Sequence, residues 1–140
     1  MQTCQPEKLK ILIARKRGTD TRDISLILGR SDIEMLMADN GQEAIRIFIS
    51  HPEIKMVLIN SDLPMMNGFD ATYKIRETDK DIPIILLVNY SNRDSLHLAT
   101  LVGCSQVLQS PVDPEAFEHL ITKYLHRHHP NHICLQTENQ

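Results

Sequence analysis

This sequence is poor in what cross-linking, membrane insertion or binding by bulk charge requires. Its 140 residues include only three cysteines, Cys4, Cys104 and Cys134. The number is odd, the spacings are unrelated and no CxxC is present, so no disulfide framework is expected. Cys104 stands among apolar residues and reads as a small buried hydrophobe. No apolar run reaches the roughly 18 residues a membrane span needs. The polar stretch Met1 to Lys10 has no signal-peptide core, so the expectation is a cytoplasmic protein with no membrane partner. A formal net charge of −3 supplies no field for nucleic acid, and none is expected as a partner. No glycine-rich phosphate loop follows the first apolar run, which argues against a nucleotide-binding enzyme. Repeats and internal linkers are also missing, and the length suits one domain with one core.

What is present is a regular alternation. Short aliphatic runs at Leu9–Ala14 (LKILIA), Ile33–Ala38 (IEMLMA), Ile54–Ile59 (IKMVLI), Ile82–Val88 (IPIILLV) and Cys104–Leu108 are predicted strands. Between and after them lie amphipathic stretches at Asp20–Gly29, Asn40–Ser50, Gly68–Glu77, Ser91–Val102 and Pro114–His126. In the last of these, Phe117, Leu120, Ile121, Tyr124 and Leu125 recur at helical spacing. In the others, Ala44, Ile45 and Phe48, and then Phe69, Thr72 and Ile75, mark the inward faces. Asp113-Pro114 reads as a helix start, Asn40 with Glu43 as a capping box, and Gly103 as a C-cap. Continuously apolar strands alternating with helices form a parallel sheet covered on both faces. The predicted fold is therefore three-layered α/β. A domain is expected over 9–129, between an N-terminal tail (1–8) and a polar C-terminal tail (130–140).

In such sheets chemistry gathers at the carboxyl ends of the strands. The first strand runs into Ala14-Arg15-Lys16-Arg17 and the third into Asn60-Ser61-Asp62-Leu63-Pro64-Met65-Met66-Asn67-Gly68. The stretch VLINSDLPMMNGFDATYKIRE resembles the third strand, loop and helix of response-regulator receiver domains. KILIARKR, ADNGQEAIRIF, PIILLVNYS and GCSQVLQSPVDPEAF resemble further parts of that fold, in order, over residues 9–126. The resemblance implies a flavodoxin-like (βα)5 doubly wound sheet with strand order 2-1-3-4-5, serving two-component or phosphorelay signalling.

It also implies which positions carry chemistry. Arg15 and Lys16 stand where the family has its Mg²⁺-binding acid pair. Asn60 stands at the phosphoacceptor position, Val88 at the switch hydroxyl, Val107 at the switch aromatic and Ser110 at the lysine. Pro64, Gly68, Gly103 and Pro111 remain, and the resemblance implies a cis bond before Pro111. Mg²⁺ requires hard oxygen ligands, which Arg15 and Lys16 are not. An Asn amide is no carboxylate nucleophile, and Val88 has no hydroxyl. The expectation is a pseudo-receiver: not an enzyme, without Mg²⁺ or any other cofactor, acting by protein–protein contact.

Several residues carry a sharper and a plainer reading. Arg15 and Lys16, with Arg17, form an anion pocket, or else they neutralise Asp62 or face solvent; the plainer reading is the expectation. Asp62 is a substitute phosphorylation site or a loop acid paired with these bases. Ser61 and Ser110 lack a base to activate them. His126, His128, His129, His132 and Cys134 form a dense cluster, but at no structural-site spacing, so no metal is expected. Met35, Met37, Met56, Met65 and Met66 are read as core and loop packing. Asn92, Arg93, His97 and Thr100, beside the exposed side of the last helix, suggest a partner surface on the face of the fourth helix, fifth strand and fifth helix. A histidine kinase, another regulator or a second copy of the chain is the expected partner.

Overall fold

The computed structural model describes residues 8–18, 32–89, 93–109 and 112–127. The element order is β1 (Leu9–Ala14), β2 (Ile33–Ala38), α1 (Gly41–Ser50), β3 (Ile54–Asn60), α2 (Gly68–Thr78), β4 (Ile84–Val88), α3 (Arg93–Val102), β5 (Gln106–Gln109) and α4 (Pro114–Arg127). All neighbouring strands are parallel, in the order β2-β1-β3-β4-β5. The helix predicted at 20–29, both tails, Asn92 and the Ser110–Pro111 bond lie outside the described residues. So do the side chain of His126 and residues 128–140.

The side-chain alternation of each strand feeds two cores. Ile11, Ile13, Met56, Leu58, Ile85 and Leu87 pack on one face of the sheet with Phe117, Ile121 and Leu125 of α4. Leu12, Ala14, Val57, Ile59, Ile84, Leu86 and Val88 pack on the other with Ala44, Ala71, Ile75 and Ala99 of α1, α2 and α3. Each large aliphatic side chain so buried contributes about 1.5–3 kcal/mol relative to exposure.

Local chemistry sets the element ends. β4 starts at Ile84, not Ile82, because Pro83 has no N–H for the ladder; its carbonyl still accepts from Val57 N at 2.9 Å. β5 starts at Gln106, not Cys104, because α3 ends in a glycine cap. Gly103 has φ +90°, and Gly103 N and Cys104 N donate back to Thr100 O and Ala99 O at 3.2 and 3.4 Å. Cys104 is therefore half-buried instead of sealed in the core, and its burial still raises the thiol pKa. At α1, Asn40 Oδ1 accepts from Glu43 N at 2.7 Å. The Glu43 carboxylate returns to Asp39 N at 3.1 Å, one residue earlier than a standard capping box.

Methionine packing departs from expectation. Met56 is fully buried and Met66 packs against the second core, but Met35, Met37 and Met65 are exposed. Met35 and Met37 lie on the edge strand β2, which has a neighbour on one side only.

Two glycines determine how closely the helices approach the loop after β3. A Cβ on Gly68 would fall 2.0 Å from Asn60 O, and one on Gly41 would fall 2.0 Å from Met66 O. Both contacts are with backbone, which cannot swing away. Gly68→Ala is expected to lower the unfolding free energy by about 3 kcal/mol through overpacking. Urea denaturation checks this, and a change below about 0.5 kcal/mol, the range of an ordinary surface substitution, contradicts it.

Candidate functional site

β1 and β3 are paired with Ala14 opposite Ile59, so the residues that follow, Arg15 and Asn60, arrive together at the carboxyl end of the sheet. This is also where the strand order reverses, between β1 and β3. Asn60 is the last ladder residue of its strand, opposite Leu87, and is 5% exposed. Its Oδ1 meets no hydrogen-bond donor among the described residues. Arg15 is 4% exposed. Its neighbour Lys16 turns outward, and Lys16 Nζ reaches Asp62 Oδ2 at 2.9 Å. Arg17 crosses to the turn after β2, with Nε and Nη2 at 3.3 and 3.0 Å from Asp39 Oδ2. The hydrogen bond from Arg17 and the one with Glu43 hold the Asp39 carboxyl below its ordinary pKa.

The chain thus places three consecutive bases at the sheet end, and Lys16 and Arg17 form ion pairs with acids from neighbouring loops. Both ion pairs are open to water, with side chains 52% and 55% exposed for Lys16–Asp62. Such pairs add little stability, because water screens both charges. Their effect here is positional: they tie the β1 loop to the β2 and β3 loops.

The remaining site positions sit on apolar ground. Val88 closes β4 with 1% exposure, and Val107 packs partly buried against the same core. Leu63 is buried under the loop, and Pro64 and Met65 form its apex. Met66 N bonds back to Pro64 O at 2.7 Å, which turns the chain tightly and forces Met65 to φ 67°.

Against this geometry the comparisons with known proteins are decisive. The family described as response regulator receiver domain matches residues 11–122. The chain belongs to that family. The Vibrio harveyi autoinducer 1 sensor kinase/phosphatase LuxN is 24% identical to the receiver over 124 residues, covering 89% of this chain but 14% of LuxN. The chain therefore spans only a small part of that relative. The rice two-component response regulator ORR5 is 23% identical over 133 residues and is covered to 99%. The Helicobacter pylori chemotaxis protein CheY1 is 26% identical over 113 residues and is covered to 91%. A two-component response regulator from Clostridium difficile superposes with a TM-score of 0.77 at 22% identity, over 87% of this chain and 99% of its own, which carries the fold alone.

The fold implies Mg²⁺ at the end of β1, and these residues do not fit it. Among the described residues the side chains at the ends of β1 and β3 are a guanidinium, an ammonium and a carboxamide, and the nearby carboxylates of Asp62 and Asp39 are held by Lys16 and Arg17. Among the described residues no helix is long and apolar enough to cross a membrane.

Three features of the structure were not legible in the sequence. Gly41 gave no sign because its neighbour in space, Met66, is distant in sequence. The Arg17–Asp39 pair joins two loops across strands β1 and β2. Arg76 carried no local signal, yet its guanidinium donates to Gly103 O at 2.7 Å, Asp79 O at 3.1 Å and Ser105 Oγ at 3.1 Å.

The Asp39 carboxyl has a folded pKa below its unfolded value, so its contribution to stability is present above the unfolded pKa. It is lost as pH falls through the folded value, in the acid range below about pH 4. An NMR titration of the Asp39 carboxyl carbon is expected to show a midpoint below the usual carboxylate value, moving upward in Arg17→Ala. An unchanged midpoint in that variant would contradict the assigned cause. Met65→Gly is expected to stabilise by about 0.5–1 kcal/mol, the difference between relieving positive φ and the entropy of a new glycine. Thermal melting checks the sign.

Proposed function

We propose that this receiver acts as a pseudo-receiver: a cytoplasmic, non-enzymatic module of a two-component or phosphorelay pathway that works by protein–protein contact, without phosphorylation on Asn60 and without Mg²⁺. The observation that carries the reading is Lys16 Nζ at 2.9 Å from Asp62, at the strand end where a metal would have to sit. Asn60 supports it, since a buried carboxamide has no nucleophilic oxygen for phosphoryl transfer. Asp62 is a poor substitute acceptor, because its carboxylate is already neutralised. The partner, whether a histidine kinase, another regulator or a second copy, is proposed to bind the face built from α3, β5 and α4. There Leu98 and Leu101 are exposed, beside the polar Arg93, His97 and Thr100.

Repair of the acceptor alone is expected to fail. In Asn60→Asp a carboxylate returns next to bases that hold it ionised but do not bridge it to a phosphoryl group. Intact-mass spectrometry after acetyl phosphate treatment is expected to show no adduct on the native chain or on Asn60→Asp. Slow gain of one phosphoryl group, about 80 Da, is expected once Arg15→Asp and Lys16→Asp are added. A substantial adduct on the native chain would overturn the reading. One on the Asn60→Asp variant would show that the basic pair is no barrier.

A further inference from the structure

We infer that the crevice between the carboxyl ends of β1 and β2 is a receptor for a small tetrahedral oxyanion of the phosphate class, which enters by displacing Asp39 from Arg17. The inference deepens the pseudo-receiver reading and rests on it, since it offers a non-covalent input to a receiver that does not take a phosphoryl group covalently. The crevice has a volume of about 260 Å³ and is lined by Arg15, Lys16 and Arg17 from the β1 loop and by Asp39 and Glu43 from the β2–α1 turn. A five-atom oxyanion needs on the order of two to three times the ~30 Å³ share of one water, so the space admits one.

The chemistry of the walls selects an anion. Arg15 and Arg17 line one small volume together with Lys16, whose ammonium is held by Asp62, and Arg15 is a charged side chain 4% exposed. The ten-residue helix α1 begins beside it, and its first turn contributes positive potential. The chain's own carboxylates already respond to that field. Asp39 lies in the crevice on the Arg17 fork, and Glu43 lies there on the Asp39 N–H. The depressed Asp39 pKa agrees with a place that favours negative charge.

These internal anions are replaceable. Arg17 is 88% exposed and Asp39 35% exposed, so their pair is a surface pair that solvent and competing ions loosen. The Lys16–Asp62 pair is equally open. A phosphate dianion offers four acceptor oxygens to donors that each carboxylate serves singly, and charge-assisted bonds from a guanidinium favour that geometry. Displacement of Asp39 would loosen the tie between the β1 loop and the β2–α1 turn, because the Arg17–Asp39 pair joins them.

The test is an amide NMR titration of the intact chain with inorganic phosphate at pH 7.5, with ionic strength held constant by sodium chloride. Glycerol phosphate is a second arm that separates a free ion from a monoester source, and acetate serves as a planar control. The expected result is saturable shifts at residues 15–18 and 38–43 with phosphate or with the monoester, and none with acetate. Arg17 and Asp39 are exposed enough for their variants to fold. Arg17→Ala is expected to weaken binding about fivefold or more, and Asp39→Asn, which removes the competing charge, to tighten it by about as much. Shifts that stay linear, that chloride reproduces, or that Asp39→Asn leaves unchanged in affinity would overturn the inference. A covalent mass adduct would instead count against the pseudo-receiver reading, so the two failures are distinguishable.

Discussion

Burial of the central strands on both faces is the constraint from which the rest of this structure follows. Ile11 to Ala14, Met56 to Ile59 and Ile84 to Leu87 are all fully buried. An unpaired polar group placed within those runs would cost several kcal/mol, so polar side chains are displaced to the strand ends. Asn60 is the exception that shows the rule, a polar residue in the last ladder position, and it is neutral. A carboxylate there would have to be balanced by nearby positive charge, whether a metal held by other acids or basic side chains. With a neutral amide at that point, the neighbouring loop is free to carry bases. Arg15, Lys16 and Arg17 and the amide at Asn60 are thus one consistent electrostatic solution.

The scaffold survives this exchange because it depends on different atoms. The loop after β3 is held by Gly68 against Asn60 O, by Gly41 against Met66 O, and by the Gly68 N to Ser61 O hydrogen bond at 2.9 Å. None of these contacts involves the side chain at position 15, 16 or 60. The caps at Asn40 and Asn67 are equally local. Substitution of the chemical residues therefore leaves the folding determinants intact. That is why membership of the receiver family is plain while the end of its sheet is basic.

The same separation explains what was legible in the sequence. The strands were readable because two-sided burial demands unbroken aliphatic runs, and the helices because their inward residues recur at helical spacing. The resemblance to receivers then supplied the strand order and the positions Arg15, Lys16, Asn60 and Val88. Element ends shifted where a backbone detail intervened, as at Pro83 and at the Gly103 cap. Contacts set by approach in space were not readable. The Arg76 guanidinium bonds to carbonyls 3 and 27 residues away, and no local pattern marks a helix residue for that task. Met65 gave no warning either: its positive φ follows from the two-residue hydrogen bond around it, in a position where glycine would be unstrained.

Arg76 also bears on how the two ends of the receiver relate. Its fork fastens α2 to the corner between α3 and β5, and Ser105 Oγ accepts from both Arg76 and Ile84 N. The corner is therefore pinned to β4 and to α2 by hydrogen bonds that do not pass through the loop after β3. Between that loop and the corner stand Val88 and Val107, apolar side chains in one core. Apolar contacts are non-directional, so a charge rearrangement at Lys16 or Asp62 has no polar group in these two to act upon. On the proposed reading, the exposed leucines of α3 are then presented constantly, on an element whose position is fixed by backbone-directed hydrogen bonds. The β1–β2 crevice lies at the opposite edge of the sheet from β5, and the element beside it is the β2–α1 turn.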